Sequence, residues 1–247
     1  MLASVGRQRT PPREIVIADD GSGAATLEVI ESFARSHAVP VRLVRQEHQG
    51  FRVARLRNLA IAAATGDYLL FVDGDMLLHP DFVADHTRFA RRGFYTQGVR
   101  ARADARLTAR LVAEPAAFPA ASTRGLGGLR RAYLLHSMPL AGVLRRAANA
   151  FVALKACNLG AWRADLLRVN GFDEEMIGWG PEDKELCARL EHAGVHRQTL
   201  LFGGIACHLH HPPASRAALE ANLAILAATR ATRRVRAKRG VDTHLQG

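Results

Sequence analysis

Apolar and polar positions along the chain follow two alternating periods. Arg13 to Ala18 (REIVIA) is a short apolar run that predicts a buried strand, closed by the turn Asp19-Asp20-Gly21-Ser22-Gly23. Apolar residues then recur at helical spacing from Ala24 to Ser36. Val41 to Arg45 predicts a second strand, Val53 to Ala64 a second helix, and Asp67 to Val72 a third strand. This β-α-β-α-β order predicts right-handed crossovers and a parallel sheet. Pro80 opens a further helix, since proline is tolerated in a first turn, and Phe94 to Arg100 returns as a strand. From Asp104 to Ala150 the pattern is helical but interrupted by Pro115, Pro119 and Gly125-Leu126-Gly127-Gly128, which reads as a mobile, basic, partly amphipathic insertion. Lys155 to Trp162 is strand-like, Pro181 to His192 helical, and His196 to Cys207 forms two short strands. Ser215 to Arg239 reads as an amphipathic helix ending in arginines.

With 247 residues, 48% hydrophobic and 23% charged, the chain can bury one large α/β core. No apolar run reaches the ~18 residues of a membrane span, and Met1 to Pro12 lacks the charged-then-apolar order of a signal peptide. Cys157, Cys187 and Cys207 are widely spaced, which fits a reducing compartment and no zinc site. A cytoplasmic protein is expected. The net charge of +11 changes the picture, because it calls for an anionic partner or surface. Basic residues gather at Arg124 to Arg146 and at Arg230 to Arg239, and the candidates are nucleic acid, anionic lipid, an anionic small substrate or plain solvation.

Candidate chemistry begins at Asp73-Gly74-Asp75, placed where the run Tyr68 to Val72 ends. Two carboxylates two residues apart at a strand's C-terminal end can face one crevice and reach one hard divalent cation, Mg²⁺ or Mn²⁺. A polar turn closing the strand is the plainer alternative. Asp19 and Asp20 end the first strand, Gly21 permits a tight turn, and Ser22 can cap the next helix. Arg52 and Arg57 lie near the start of the second helix, where exposed N–H groups favour anions and forked arginines suit pyrophosphate; a solvated face is the alternative. In Gly178-Trp179-Gly180-Pro181-Glu182-Asp183, a tryptophan between glycines suits the apolar face of a sugar, and the two acids at a helix start either complement the helix dipole or accept a hydroxyl proton. In His208-Leu209-His210-His211, alternation puts His208 and His210 on one face, so that one could supply a third metal ligand. Lys155, Cys157 and Asn158 are either part of a buried strand or a polar lining.

EIVIADDGSG, RNLAIAAATGDYLLFVDGD and NGFDEEMIGWGPEDKELCARLEHAG, in that order, resemble the GT-A glycosyltransferases of family 2, and the last segment also resembles the C-terminal module of galactosyltransferase-type enzymes. The resemblance covers roughly residues 1 to 212. It implies an α/β GT-A (nucleotide-diphospho-sugar transferase) fold with a mostly parallel central sheet flanked by helices. It also implies that Asp20 accepts the N3–H of a uracil ring, that Arg52 lies by the nucleotide, and that Arg57-Asn58 forms a recurrent element. Asp75 would hold the cation, with Asp73 nearer the ribose and a metal-bound water, and His208 as a further ligand. Glu182 would contact the sugar and Asp183 act as base, or the reverse.

The chain starts at Met1 to Val5, resembling the tail of a helix, so the family's opening strand is expected to be absent. The expected division is 1–100 for nucleotide-sugar binding, 101–150 for the basic insertion, 151–212 for an acceptor and catalytic module, and 213–247 for a basic C-terminal helix. The function implied is metal-dependent, inverting transfer of a sugar from a UDP-sugar to a glycan or lipid-linked acceptor in bacterial surface polysaccharide or lipopolysaccharide synthesis. Peripheral contact with the anionic inner face of the cell membrane would go with it. An inactive scaffold remains as an alternative. A nucleic-acid-binding protein fits the charge but not the aromatic content of 6%.

Overall fold

The computed structural model describes residues 1–114, 118–150 and 152–245. Pro115, read above as a helix break, lies outside the described residues, as do small parts of the segments 101–150, 151–212 and 213–247. The elements in order are α1 (Leu2–Val5), β1 (Ile15–Asp19), α2 (Ala24–Ser36), β2 (Val41–Arg45), α3 (Val53–Ala63), β3 (Tyr68–Val72), β4 (Met76–Leu78), α4 (Phe82–Phe89), β5 (Phe94–Gln97), β6 (Val99–Arg102), α5 (Ala105–Ala113), α6 (Met138–Leu144), β7 (Asn158–Trp162), α7 (Arg163–Arg168), α8 (Glu182–His192), β8 (His196–Thr199), β9 (Ile205–His208) and α9 (Leu219–Ala231). Short 3₁₀ turns cover Gly128–Leu134, Ala147–Ala150 and Val241–His244.

The expected order of strands and helices over the first 72 residues stands, but the parallel sheet expected from it holds only β1 and β2, and β3 belongs to another sheet. Further on, the chain departs from a mostly parallel sheet. β1–β2 and β6–β9 pair parallel, whereas β5–β7 and β4–β9 pair antiparallel, so the sheets are mixed. The single strand expected over Phe94 to Arg100 is two strands broken at Gly98. A Cβ at Gly98 would overlap the Asn158 side chain. That buried amide donates to the carbonyls of Val99 at 2.9 Å and Gly204 at 2.7 Å, and its Oδ1 meets His86 Nε2 at 2.9 Å. Asn158 is therefore a core cross-link, not part of a polar lining.

Two compact units emerge: 1–11, 70–161 and 197–213 in the first, and 12–69, 162–196 and 214–247 in the second. In the first, β4 lies in a three-stranded sheet ordered β4-β9-β6. Met76 and Leu78 pack with Phe82, Cys157 and Ala206, while Leu77 between them packs with Ala103, Leu107 and Cys207. Both faces are covered, which is why three successive apolar residues are all buried. Each such side chain contributes about 1.5–3 kcal/mol.

In the second unit, β1 and β2 form a two-stranded parallel sheet in register from Ile15↔Val41 to Asp19↔Arg45, with α3 packed on both. α8 and α9 are held by a buried ionic network. Arg189 Nε donates to Glu185 Oε1 at 2.8 Å, and its Nη2 donates to Oε2 at 2.7 Å. Thr229 Oγ1 adds a bond to Glu185 at 2.9 Å. Burial alone would raise the Glu185 carboxyl; the Arg189 fork outweighs it and holds the group below its usual range. α9 stops at Ala231, not at Arg239 as the pattern suggested. Arg233 takes a left-handed φ of 50°, and Arg234 turns back to Asp173 at 2.7 Å and Glu185 at 3.1 Å. Arg236 pairs with Asp242 and Arg239 with Glu174, so these terminal arginines serve internal contacts.

Candidate active site

In the first unit, the β4–β9 register sets Met76 opposite His208, and Leu209 N donates to the Asp75 carbonyl at 2.9 Å. Asp75 thus sits at the end of the ladder beside His208. Its Oδ2 lies 3.2 Å from His208 Nε2 and 3.0 Å from His211 Nε2. One donor atom from each of these three side chains falls within 4.8 Å of the others. Asp75 Oδ1 is buried without a hydrogen-bond partner. A buried carboxylate oxygen left unmatched is costly in a finished protein. One carboxylate and two imidazoles form a donor set that suits Mn²⁺ or another divalent ion. The residues present therefore fit a cation.

Burial pushes His208 below its usual pKa, and Arg100, Arg102 and His211 add to this against the pull of Asp75. The imidazole is thus biased toward the neutral form that ligates metals. Asp73 Cα carries its carbonyl into the turn, accepting from Met76 N at 3.2 Å, and its carboxylate is not among the three convergent donors. The alternation expected to carry His208 and His210 on one face is not continued. β9 ends at His208, so strand alternation stops there. His210 N instead donates to Thr108 Oγ1 at 2.8 Å, and His211 supplies the second ring.

In the second unit, Asp19 at the end of β1 and Asp20 just after it divide their work. Asp19 is buried; it accepts from Ser22 N at 3.1 Å and pairs with Arg45 Nε at 3.0 Å. Ser22 does not cap α2, whose N-cap is Gly23. Gly21 takes φ 76°, and a Cβ there would come within 2.7 Å of His48 N, so the turn requires glycine. Asp20 Oδ1 accepts from Gln46 Nε2 at 2.6 Å and its Oδ2 meets His48 Nδ1 at 2.9 Å. Neither Gln46 nor His48 was marked by the sequence pattern.

Arg52 is the N-cap residue of α3 and donates to the Glu47 carbonyl at 2.6 Å. Arg57 is held by Glu182 at 2.8 Å and lies over the Phe172 ring at 5.2 Å. Next to it, Asn58 is fully buried and clamps the loop before α8. It donates to the Phe172 carbonyl at 2.8 Å and to Glu174 at 2.9 Å, and accepts from Phe172 N at 2.8 Å. Burial raises the Glu182 carboxyl; Arg57 opposes this, and the neighbouring Asp183 charge adds to it. Asp183 is buried at the start of α8 and accepts from Lys184 N at 2.7 Å. The Trp179 loop is tied to α9 through Asn222, which donates to the Ile177 carbonyl at 3.0 Å, and the Arg216 guanidinium lies over the indole at 5.2 Å.

This fold and these acidic strand ends define a GT-A-type α/β protein. Residues 1–137 match the model of glycosyl transferase family 2, and residues 149–212 match the model described as the N-terminal domain of galactosyltransferase. The chain belongs to glycosyl transferase family 2. It is 29% identical over 204 residues to validoxylamine A glucosyltransferase of Streptomyces hygroscopicus subsp. limoneus, covering 78% of this chain and 45% of that protein. It is 26% identical over 225 residues to chondroitin synthase of Pasteurella multocida (strain Pm70), covering 85% of this chain and 23% of that one. The chain thus spans less than half the length of these relatives. Among solved structures, S. aureus TarS superposes with a TM-score of 0.59 at 18% identity, covering 93% of this chain and 36% of TarS. GalNAc-T7 with UDP, GalNAc and Mn²⁺ gives 0.55 at 15% identity, covering 81% and 38%. These likenesses establish the fold. Among the described residues no helix is long and apolar enough to cross a membrane.

Proposed function

We propose that this chain is a hexosyltransferase that moves a sugar from a nucleotide diphosphate, UDP by preference, to a hydroxyl of a glycan or lipid-linked acceptor, with inversion. The observation that carries the reading is the convergence of Asp75, His208 and His211 around an unmatched carboxylate oxygen. A solved relative of the fold is described with UDP, GalNAc and Mn²⁺, and another, TarS 1–349, with UDP-GlcNAc. Asp75, His208 and His211 would hold a divalent cation, which would offset the charge building on the departing diphosphate.

In this reading Asp20 accepts from the base of the nucleotide, Arg52 and Arg57 face its phosphates, and Asp73 lies nearer the ribose. Trp179 offers its ring to a sugar. Asp183 takes the proton of the acceptor hydroxyl as its oxygen bonds to the anomeric carbon, and the bond from that carbon to the diphosphate breaks on the opposite side. Glu182 contacts the sugar. The basic segment 101–150 brings the chain to an anionic membrane, where surface polysaccharide or lipopolysaccharide acceptors are assembled; the C-terminal arginines are taken up by internal ion pairs.

The test is Mn²⁺-dependent hydrolysis across a set of UDP-sugars. Wild-type protein should turn over at least one of them, and Asp75→Asn should abolish it at unchanged thermal stability. Retained turnover by Asp75→Asn with added Mn²⁺ rejects the assignment.

A further inference from the structure

We infer that the outer face of α6, with the arginines on either side of it, is a docking surface for an anionic lipid bilayer. This deepens the membrane-contact part of the function proposed above and rests on that part alone, not on the donor chemistry.

The observation is an apolar surface that the fold holds open. Leu135 is 55% exposed, Leu140 50% and Val143 80%. Leu140 and Val143 are three apart on one helix, so they share a face, and exposed Pro139 stands beside them. The opposite face is committed inward: Ala141 is fully buried, and it and Met138 lie against Gly203. The helix is fastened at both ends, by Ser137 N donating to the Phe202 carbonyl at 2.9 Å and by Thr199 N donating to the Arg145 carbonyl at 2.8 Å. Just upstream, His136 Nε2 meets both oxygens of buried Asp85 at 3.0 Å. Leu140 and Val143 therefore cannot turn inward without breaking these anchors.

Charge identifies what covers the face. Between Glu114 and Asp165 the sequence holds no acidic residue, while it places exposed Arg131 and Arg146 on either side of α6 and exposed Arg124 upstream. A second copy of this chain, at +11, would bring like charge to the same place. A bilayer with anionic headgroups supplies both parts at once: acyl chains for Leu135, Leu140 and Val143, and phosphates for the arginines. The helix is too short to span and lies in the interface.

The test is co-sedimentation of the 247-residue protein with phosphatidylcholine vesicles, with and without phosphatidylglycerol. Wild type should bind only the anionic vesicles and be released by salt. Leu140→Ser with Val143→Ser should lower partitioning by about tenfold, and Arg131→Glu with Arg146→Glu by about tenfold or more. Both pairs are exposed, so thermal stability should not change. Equal partitioning of wild type and both variants, or equal binding to neutral vesicles, overturns the inference. So does a wild-type dimer by light scattering that Leu140→Ser with Val143→Ser dissolves, because the face would then join copies. UDP-sugar hydrolysis run on the same proteins separates the two claims: vesicle binding without hydrolysis in the wild type supports the docking surface and overturns the donor reading, and the reverse result does the opposite.

Discussion

His211 and His210 are adjacent in sequence and opposite in use, which makes them the sharpest contrast at the scale of single residues. His211 Nε2 lies 3.0 Å from Asp75 Oδ2, whereas His210 is fixed through its backbone to Thr108. On the metal-centred reading, His211→Ala should weaken Mn²⁺ binding in the presence of UDP by about tenfold or more, measured by calorimetry, and His210→Ala should leave it within about twofold. An equal effect of the two would remove His211 from the ligand set. Asp183→Asn separates binding from chemistry. It should lower turnover by about 10²–10⁴-fold, the usual worth of a general base, while UDP and Mn²⁺ still bind. Loss of binding instead would make Asp183 a donor contact.

At the scale of elements, Asn58 shows how a helix residue can fix a distant loop. From α3 it makes three hydrogen bonds to the loop before α8, all within 2.9 Å and all buried. Asn58→Ala leaves the Phe172 N–H and its carbonyl unmatched, at a cost on the order of 2–4 kcal/mol. Urea unfolding should show the loss as a lower midpoint at unchanged slope. A change below about 0.5 kcal/mol would mean that water replaces the clamp. The resemblance marks Arg57-Asn58 as a recurrent element, with Arg57 expected at the nucleotide and no role assigned to Asn58. Its Asn is used structurally because bonds to residues 114 and 116 positions away leave no local pattern. What could be read was what short-range periodicity carries: the first three strands, two helices, and Asp75 at a strand end; His208 as a ligand came from the resemblance, and its place inside the last strand was not read. What could not be read depended on where elements stop. β9 ends at His208, so strand alternation gave no sign of His211. Arg233 ends α9 early, so a supposed basic helix end becomes the ion pairs of Arg234, Arg236 and Arg239.

For the whole molecule, the strong positive charge and the buried histidine chemistry point the same way on acidification. His86 is fully buried against Asn158, and burial lowers its pKa from 6.5 to about 4. The unfolded chain binds a proton at about pH 6.5 that the folded chain refuses until about pH 4. Unfolding is therefore favoured as pH falls through that window, and the stability is fully present above it. His79 and His208 are lowered too, with burial the largest cause in each, and act with the same sign. Asp173 and Glu182 are raised by burial, so they bind protons more tightly when folded and act with the opposite sign. Because these terms oppose one another, the slope of the wild-type curve alone assigns nothing to one residue, and a difference measurement is needed. His86→Gln removes one titrating group while keeping an amide that can donate to Asn158 Oδ1. The stability difference between wild type and His86→Gln should shrink as pH falls from 6.5 toward 4, with a limiting slope of about 1.4 kcal/mol per pH unit. Denaturant titrations at a series of pH values read this directly. A difference that stays constant across the window would show that His86 titrates alike in both states, and that its burial against Asn158 does not govern acid stability.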